Sequence, residues 1–352
     1  MNPEPYIVAE LSGNHKGDID RAFALIDAAK SAGADAVKVQ TYTADTITLD
    51  CDRPEFRITE GPWKGRTLYD LYSEASTPWD WHPRLFEYAR KIGLEIFSSP
   101  FDHTAVDFLE SLDCPFYKIA SFEIVDLPLI RKCAATGKPV IISTGMASDD
   151  EIEAALDAAW NSQTVLLHCV SGYPTPPREA NLGRIRELQC KSDFVGLSDH
   201  SMGHEIAASA TVLGAVLIEK HLTLSRLDGG PDASFSMEPR EFADMVGAVK
   251  RAWMSMQPTE KLSERASLPH RRSLYAVRDI KAGETFTADN IRSIRPGNGL
   301  PPKHYDEIIG RKAQVDIERG TPLTWDYVDG RQCPDEKLRE NDCRQQVAQA
   351  QA

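Results

Sequence analysis

The sequence predicts a closed (β/α)8 barrel followed by a small β-rich module. Three observations carry that expectation: short apolar runs alternate with amphipathic stretches eight times over, the runs end on polar or ionisable residues, and the pattern changes after Ala252. At 352 residues, 41% hydrophobic, the chain is long enough for one large domain and one small one.

The apolar runs are Tyr6 to Glu10, Ala36 to Gln40, Leu94 to Ser98, Phe116 to Ile119, Pro139 to Ser143, Val165 to His168, Phe194 to Ser198 and Val216 to Glu219. Between them lie helical patterns. Asp18 to Ser31 places Phe23, Ile26 and Ala29 on one face, and Trp81 to Lys91, Thr104 to Leu112, Asp149 to Trp160 and His204 to Leu213 read alike. Gly33, Gly93, Gly137 and Gly214 stand just past helix ends, where a left-handed cap is wanted. These units place a barrel over residues 1 to 256. Residues 257 to 271 are polar and proline-bounded, which suits an extended linker. A module over 272 to 328 follows, with a strand at Ser273 to Ala276, a turn at Asp279 to Glu284, a helix start at Thr287 to Asn290 and a turn at Arg295 to Gly299. It is short enough that its core is marginal. The polar, glutamine-rich segment 329 to 352 is expected to be disordered.

The run endings bring chemistry to one place. They are Glu10, Lys38 and Gln40, Ser98 and Ser99, Lys118 and Ser121, Ser143 and Thr144, His168, Ser198 to His200, and Glu219 to His221. Parallel barrels put their active sites at this end, and burying so many polar groups costs a few kcal/mol each unless they are paired or hold a ligand. Gly196-Leu197-Ser198-Asp199-His200 and Ile218-Glu219-Lys220-His221 finish neighbouring runs on histidines that can share a metal ion. A lone strand-end histidine is more often a hydrogen-bonded core residue; two, beside Asp199 and Glu219, reverse those odds.

The net charge of -13 argues against nucleic acid or anionic membrane as partners. No apolar run reaches the ~18 residues of a membrane span, and Met1 to Pro5 lacks a basic leader, so the cytoplasm is expected. The cysteines show no C-x-x-C spacing, so neither a disulfide framework nor a zinc knuckle is indicated.

Ala9 to His15, Ala34 to Thr41, Tyr117 to Ser121, Ser143 to Met146, Tyr173 to Pro176, Gly196 to His200 and Ile218 to His221 together resemble the sialic acid synthase family. Residues 272 to 328, with Arg295-Pro296-Gly297-Asn298-Gly299, resemble its C-terminal antifreeze-like (SAF, β-clip) domain. Gln40 to Thr46, Trp63 to Tyr72 and Thr77 to His82 are more similar to the pseudaminic acid synthase branch than to the N-acetylneuraminate branch.

The resemblance implies condensation of phosphoenolpyruvate with an open-chain N-acetylated amino sugar, giving a nine-carbon 2-keto acid and phosphate by C–O cleavage. In the pseudaminic branch the acceptor is 2,4-diacetamido-2,4,6-trideoxy-L-altrose. It implies His200 and His221 as ligands of a divalent metal, with Mn2+ favoured and Mg2+, Co2+ or Fe2+ open. Lys38 and Lys118, with Ser99, Ser121, Ser171 and Ser198, are implied contacts of phosphoenolpyruvate. Ser99 and Ser171 depart from the neuraminate branch, which has threonine and asparagine there. Glu10 and Glu123 are the acid and base candidates, and a salt bridge to Lys38 or Lys118 describes either equally well in an empty site. Gln40 is an implied substrate contact, and Tyr173 and Asp232 are expected near the sugar. Arg295 is expected to reach the partner's site in a domain-swapped homodimer. The aromatic stretch Trp63 to Trp81 suits either an apolar wall for a 6-deoxy sugar or helix packing against the barrel. Other activities considered are N-acetylneuraminate or legionaminate synthesis, a class I aldolase using Lys38 or Lys118 as a Schiff base, and non-catalytic sugar or ice binding, for which the ionisable run endings would have no use.

Overall fold

A computed structural model of the chain describes residues 3–61, 63–258 and 262–330 and divides into two units, Met1–Gln257 and Pro258–Ala352. The first unit is a closed barrel of eight parallel strands in sequential order. They are β1 (Tyr6–Glu10), β2 (Ala36–Thr41), β3 (Glu95–Pro100), β4 (Tyr117–Ile119), β5 (Val140–Ser143), β6 (Thr164–Cys169), β7 (Val195–Asp199) and β8 (Leu217–His221). These strands are buried on both faces, which is why they read as near-continuous apolar runs in the sequence.

Helices connect the strands and pack Leu25, Leu85, Phe86, Leu129 and Phe242 against them, all at most 1% exposed. Short polar side chains start them: Asp18 accepts from Asp20 N–H before Ile19–Ala32, Asp102 from Thr104 and Ala105 before His103–Glu110, and Ser148 shares a capping box with Glu151 before Asp149–Ala158. Gly33, Gly93, Gly137 and Gly214 take φ between +70° and +98°, as their positions required. Leu68–Ala75, Leu127–Ala134 and Pro239–Ser255 are further helices that the periodicity reading did not pick out.

Register sets the height of each side chain in the barrel. Glu10 pairs in register with Lys38 on one side and His221 on the other, Gln40 with Ser99, and Ser198 with Glu219. The polar run endings therefore gather at successive heights of the C-terminal mouth.

In the second unit β9 (Ser273–Ala276) pairs antiparallel with β10 (Ile291–Ile294) over a core of Leu274, Ile280, Phe286, Ile291, Ile308, Ile317, Leu323 and Val328. Two expectations are corrected here. Thr287 to Asn290 is a turn rather than a helix start: Asn290 Oδ1 accepts from Thr287 N–H at 2.7 Å while its amide donates to Thr285 O at 2.9 Å, and the next residues enter β10. The same short polar side chains that cap helices also close turns. Within the expected extended linker, Leu262–Ser267 is helical and Leu268–His270 forms a 3-10 turn; Leu, Glu, Arg and Ala are good helix formers. Of the expected tail, residues 331 to 352 lie outside the described residues. Among the described residues no helix is long and apolar enough to cross a membrane.

Candidate active site

Two buried cations and two buried anions occupy the centre of the mouth. Lys38 Nζ lies 2.5 Å from Glu10 Oε2 and 3.6 Å from Glu219 Oε2, and Lys118 Nζ lies 3.3 Å from Glu219 Oε1. Lys38 also donates to Ser99 Oγ at 3.4 Å, and Ser198 Oγ donates to Glu219 at 3.1 Å. Burial alone would lower the Lys38 pKa, but Glu10 and Glu219 hold it above the ordinary lysine value. Burial would likewise raise Glu219, and Lys118 and Lys38 override it and hold it below the usual carboxylate range. Glu219 is thus the hub of the cluster. Sequence reasoning names Glu219 as a run ending but gives it no role, although its place at the end of β8 was a signal.

A second group of polar atoms has open valences. Gly145 N–H donates to Ser121 Oγ at 3.2 Å, and a Cβ on Gly145 would stand 2.6 Å from Ser171 Oγ and 2.7 Å from Ser121 Oγ, so only glycine lets the three converge. Ser171 Oγ and Ser143 Oγ are buried without a partner. A buried hydroxyl left so costs about 1–3 kcal/mol, and a phosphate or carboxylate arriving there would relieve it. Glu123, on the loop after β4, also has a buried Oε2 without a partner. Burial, opposed by Lys118, pushes its carboxyl up to about 7.

Glu10 has no such freedom. Its Oε1 accepts from Gln40 Nε2 at 2.9 Å and from Ser12 N–H at 3.1 Å, and its Oε2 faces Lys38. Ser12 extends this network: its hydroxyl accepts from Gln40 at 3.2 Å and donates to Asp232. Asp232 is buried, and burial, opposed by the Ser12 bond, pushes it up to about 6. Ser12 has φ of +42°, an uncommon conformation for a residue with a side chain, and sequence reasoning gave it no role.

His200 and His221 stand side by side with ring centroids 5.4 Å apart. His200 Nδ1 lies 3.0 Å from Val170 O, and the tautomer protonated there keeps an Nε2 lone pair for a ligand. His221 Nδ1 is buried without a partner, and burial, reinforced by His200 and Lys38, holds this imidazole neutral. Two imidazoles binding one ion at about 2.1 Å place their centroids roughly 5 Å apart, so the pair fits a divalent cation. Among the described residues no group of three or more His, Cys, Asp or Glu is placed to hold a metal.

Aromatic rings surround the pair. Tyr173 lies 4.4 Å from His200 and 5.1 Å from Phe235, and Phe235 lies 5.1 Å from His221. Trp63 reaches Tyr173 at 5.7 Å and Phe235 at 6.4 Å. The stretch Trp63 to Trp81 is divided: Trp63 belongs to the mouth, whereas Trp79 stacks on Phe108 at 4.9 Å and Trp81 packs on the barrel core, the helix-packing alternative. Phe235 carried no sequence signal. Arg295 is exposed just after β10 in the second unit. A cavity of about 450 Å³ near Trp160 and Phe194, by the N-terminal ends of β6 and β7, is lined by none of the candidate residues.

The NeuB family matches residues 25–261 and the SAF domain matches residues 271–329. The chain is 44% identical over 337 residues to a pseudaminic acid synthase of Helicobacter pylori, covering 94% of this chain and 99% of that protein. It is 44% identical over 325 residues to a pseudaminic acid synthase of Campylobacter jejuni, covering 90% and 95%. A crystal structure of N-acetylneuraminic acid synthetase from Leptospira borgpetersenii, in complex with citrate, superposes with a TM-score of 0.68 at 33% identity, covering 76% of this chain and 91% of that one.

Proposed function

This chain belongs to the NeuB family, and on that premise we propose that it condenses phosphoenolpyruvate with 2,4-diacetamido-2,4,6-trideoxy-L-altrose and water to give pseudaminic acid and phosphate. The observation that carries the reading is near-full-length identity of 44% to a pseudaminic acid synthase. The mouth described above has groups suited to each substrate.

Lys38 and Lys118 bind the phosphate and carboxylate of phosphoenolpyruvate, with Ser99, Ser198, Ser121, Ser171 and the Gly145 N–H completing the seat. The four central ionic groups cancel one another before substrate arrives. An entering trianion therefore shares the lysines with Glu10 and Glu219, and compensating positive charge is needed nearby. His200 and His221 would hold a divalent cation there, Mn2+ first, which when bound polarises the acceptor aldehyde oxygen as a Lewis acid. The C2=C3 electrons of phosphoenolpyruvate bond carbon 3 to the aldehyde carbon, the aldehyde C=O π bond breaks and its oxygen takes up a proton to become a hydroxyl, and water adds at the C2 left cationic. Glu123, poised near neutrality with an unpartnered oxygen, takes the proton of that water. The tetrahedral intermediate then expels phosphate by C–O cleavage. Glu10 is held by Lys38, Gln40 and Ser12 and orients the acceptor together with Asp232 and Tyr173. A Schiff-base aldolase needs a neutral amine, and Lys38 is held charged by two carboxylates.

The enzyme works as a cytoplasmic homodimer in which Arg295 of one subunit caps the other's mouth. Phe122, Val125 and Met146, at 59–65% exposure on the loops after β4 and β5, support a covered rim. Free thiols at Cys51, Cys114, Cys133, Cys169 and Cys190 suit a reducing compartment. Phosphate release from phosphoenolpyruvate, measured with the diacetamido sugar and with N-acetylmannosamine side by side, tests the function. A preference for the diacetamido sugar supports it; a preference for N-acetylmannosamine overturns the acceptor assignment.

A further inference from the structure

Trp63 stands where its place in the chain would not put it. It follows β2, yet its indole reaches Tyr173, which follows β6, and Phe235, which follows β8. In a barrel of eight strands in sequential order β2 and β6 lie on opposite sides. Side chains from their loops meet only above the opening.

The excursion that carries Trp63 is built to hold it there. Ile58 N–H donates to Arg66 O and Gly65 N–H to Ile58 O, both at 2.9 Å, closing a hairpin, and Trp63 Nε1 donates to Pro231 O at 2.8 Å on the loop after β8. Pro231 is itself wedged at the mouth, since a Cβ on Gly13 would stand 2.9 Å from its Cγ. The indole is thus clamped across the site, beside the rings that touch His200 and His221.

Besides Tyr173, which carries a hydroxyl, the roof consists of Trp63 and Phe235, and the surface these two present is apolar. The one polar atom of Trp63 is spent on Pro231, and Phe235 has none. A methyl group placed under them loses nothing on burial, whereas a hydroxymethyl group would bury an O–H with no partner among these two side chains. We propose that Trp63 is the residue that selects a 6-deoxy acceptor, packing its indole on the C6 methyl edge of the sugar. This rests on the acceptor class proposed above.

Steady-state kinetics of the wild-type enzyme, Trp63→Ala and Trp63→Phe test it, varying the 2,4-diacetamido 6-deoxy sugar, its 6-hydroxy counterpart and phosphoenolpyruvate in turn. Trp63→Ala is expected to lose about 10- to 100-fold in kcat/KM for the 6-deoxy sugar, chiefly through KM, and under about 3-fold for the 6-hydroxy sugar. The KM for phosphoenolpyruvate should stay within about 2-fold, and Trp63→Phe, which keeps an apolar ring, should retain most of the discrimination. Equal losses on both sugars, or an equal rise in the KM for phosphoenolpyruvate, overturn the inference and leave the proposed function standing. A wild-type enzyme that releases no phosphate with the 6-deoxy sugar overturns the function, and the inference with it.

Discussion

Replacing Glu219 with glutamine removes one negative charge from a cluster of four buried ionic groups while keeping the shape. In the native protein Glu219 faces Lys118 at 3.3 Å and Lys38 at 3.6 Å, and all three side chains are at most 5% exposed. Glu10 still neutralises Lys38 at 2.5 Å in the variant, but Lys118 loses its carboxylate partner. Leaving one buried charge without its partner costs about 3–5 kcal/mol. For a unit of this size the melting temperature should then fall by roughly 6 to 20 °C. Inorganic phosphate should restore it more strongly than it raises the wild type, because the freed ammonium now binds the anion without competition; at a hundred times its Kd a ligand contributes about 2.7 kcal/mol. The pH dependence has a definite sign. Burial opposes ionisation of Glu219, but Lys118 and Lys38 hold its pKa below the ordinary value, so its contribution is present above that ordinary value and is lost as pH falls through the depressed one. Glu219→Gln should lack this part of the acid destabilisation. Melting curves of both proteins from pH 3 to 8, with and without phosphate, decide the matter. Equal melting temperatures and equal phosphate responses would show that Glu219 does not hold the lysines.

Glu123→Gln should lower kcat by about 10²–10⁴-fold, and the rise of wild-type activity through a pH of about 7 should vanish from its profile; an unchanged profile would assign the base elsewhere. Ser12→Ala and Ser12→Gly should both raise the acceptor KM by about tenfold with the KM for phosphoenolpyruvate unmoved. Glycine should be more stable than alanine by about 1 kcal/mol and so melt higher, since φ of +42° suits it; equal melting temperatures would remove the backbone argument. Chelation should abolish phosphate release and Mn2+ restore it. Calorimetry should show Mn2+ affinity reduced in His221→Ala by more than the roughly 10- to 100-fold that changes around a ligand cause.

The barrel was legible because strands buried on both faces write continuous apolar runs, and because a mouth full of Glu10, Lys38, Lys118, His200 and His221 needs ligands or partners. The histidine pair followed from the adjacency of β7 and β8. The helix Pro239–Ser255 had a signal, a capping box at Glu238 and Glu241 with proline at its first position. Other features depend on distant pairing. Whether Glu219 meets one lysine or two is set by the register of β8 against β7 and β1 and by the lengths of Lys38 and Lys118, none of which is written locally. Phe235 and Trp63 matter because loops after β8 and β2 meet over the opening, and Ser12 because its backbone is left-handed. Thr287 to Asn290 misled because one capping chemistry serves both helix starts and turns.

The central claim is that this chain joins phosphoenolpyruvate to the diacetamido 6-deoxy sugar with cleavage of the C–O bond. Phosphoenolpyruvate carrying ¹⁸O at the bridging position, incubated with the enzyme, Mn2+ and that sugar, tests it by ³¹P NMR of the phosphate formed. Phosphate bearing the ¹⁸O label, released only when the sugar is present, is the predicted result. Unlabelled phosphate, or label released equally without the sugar, would contradict it.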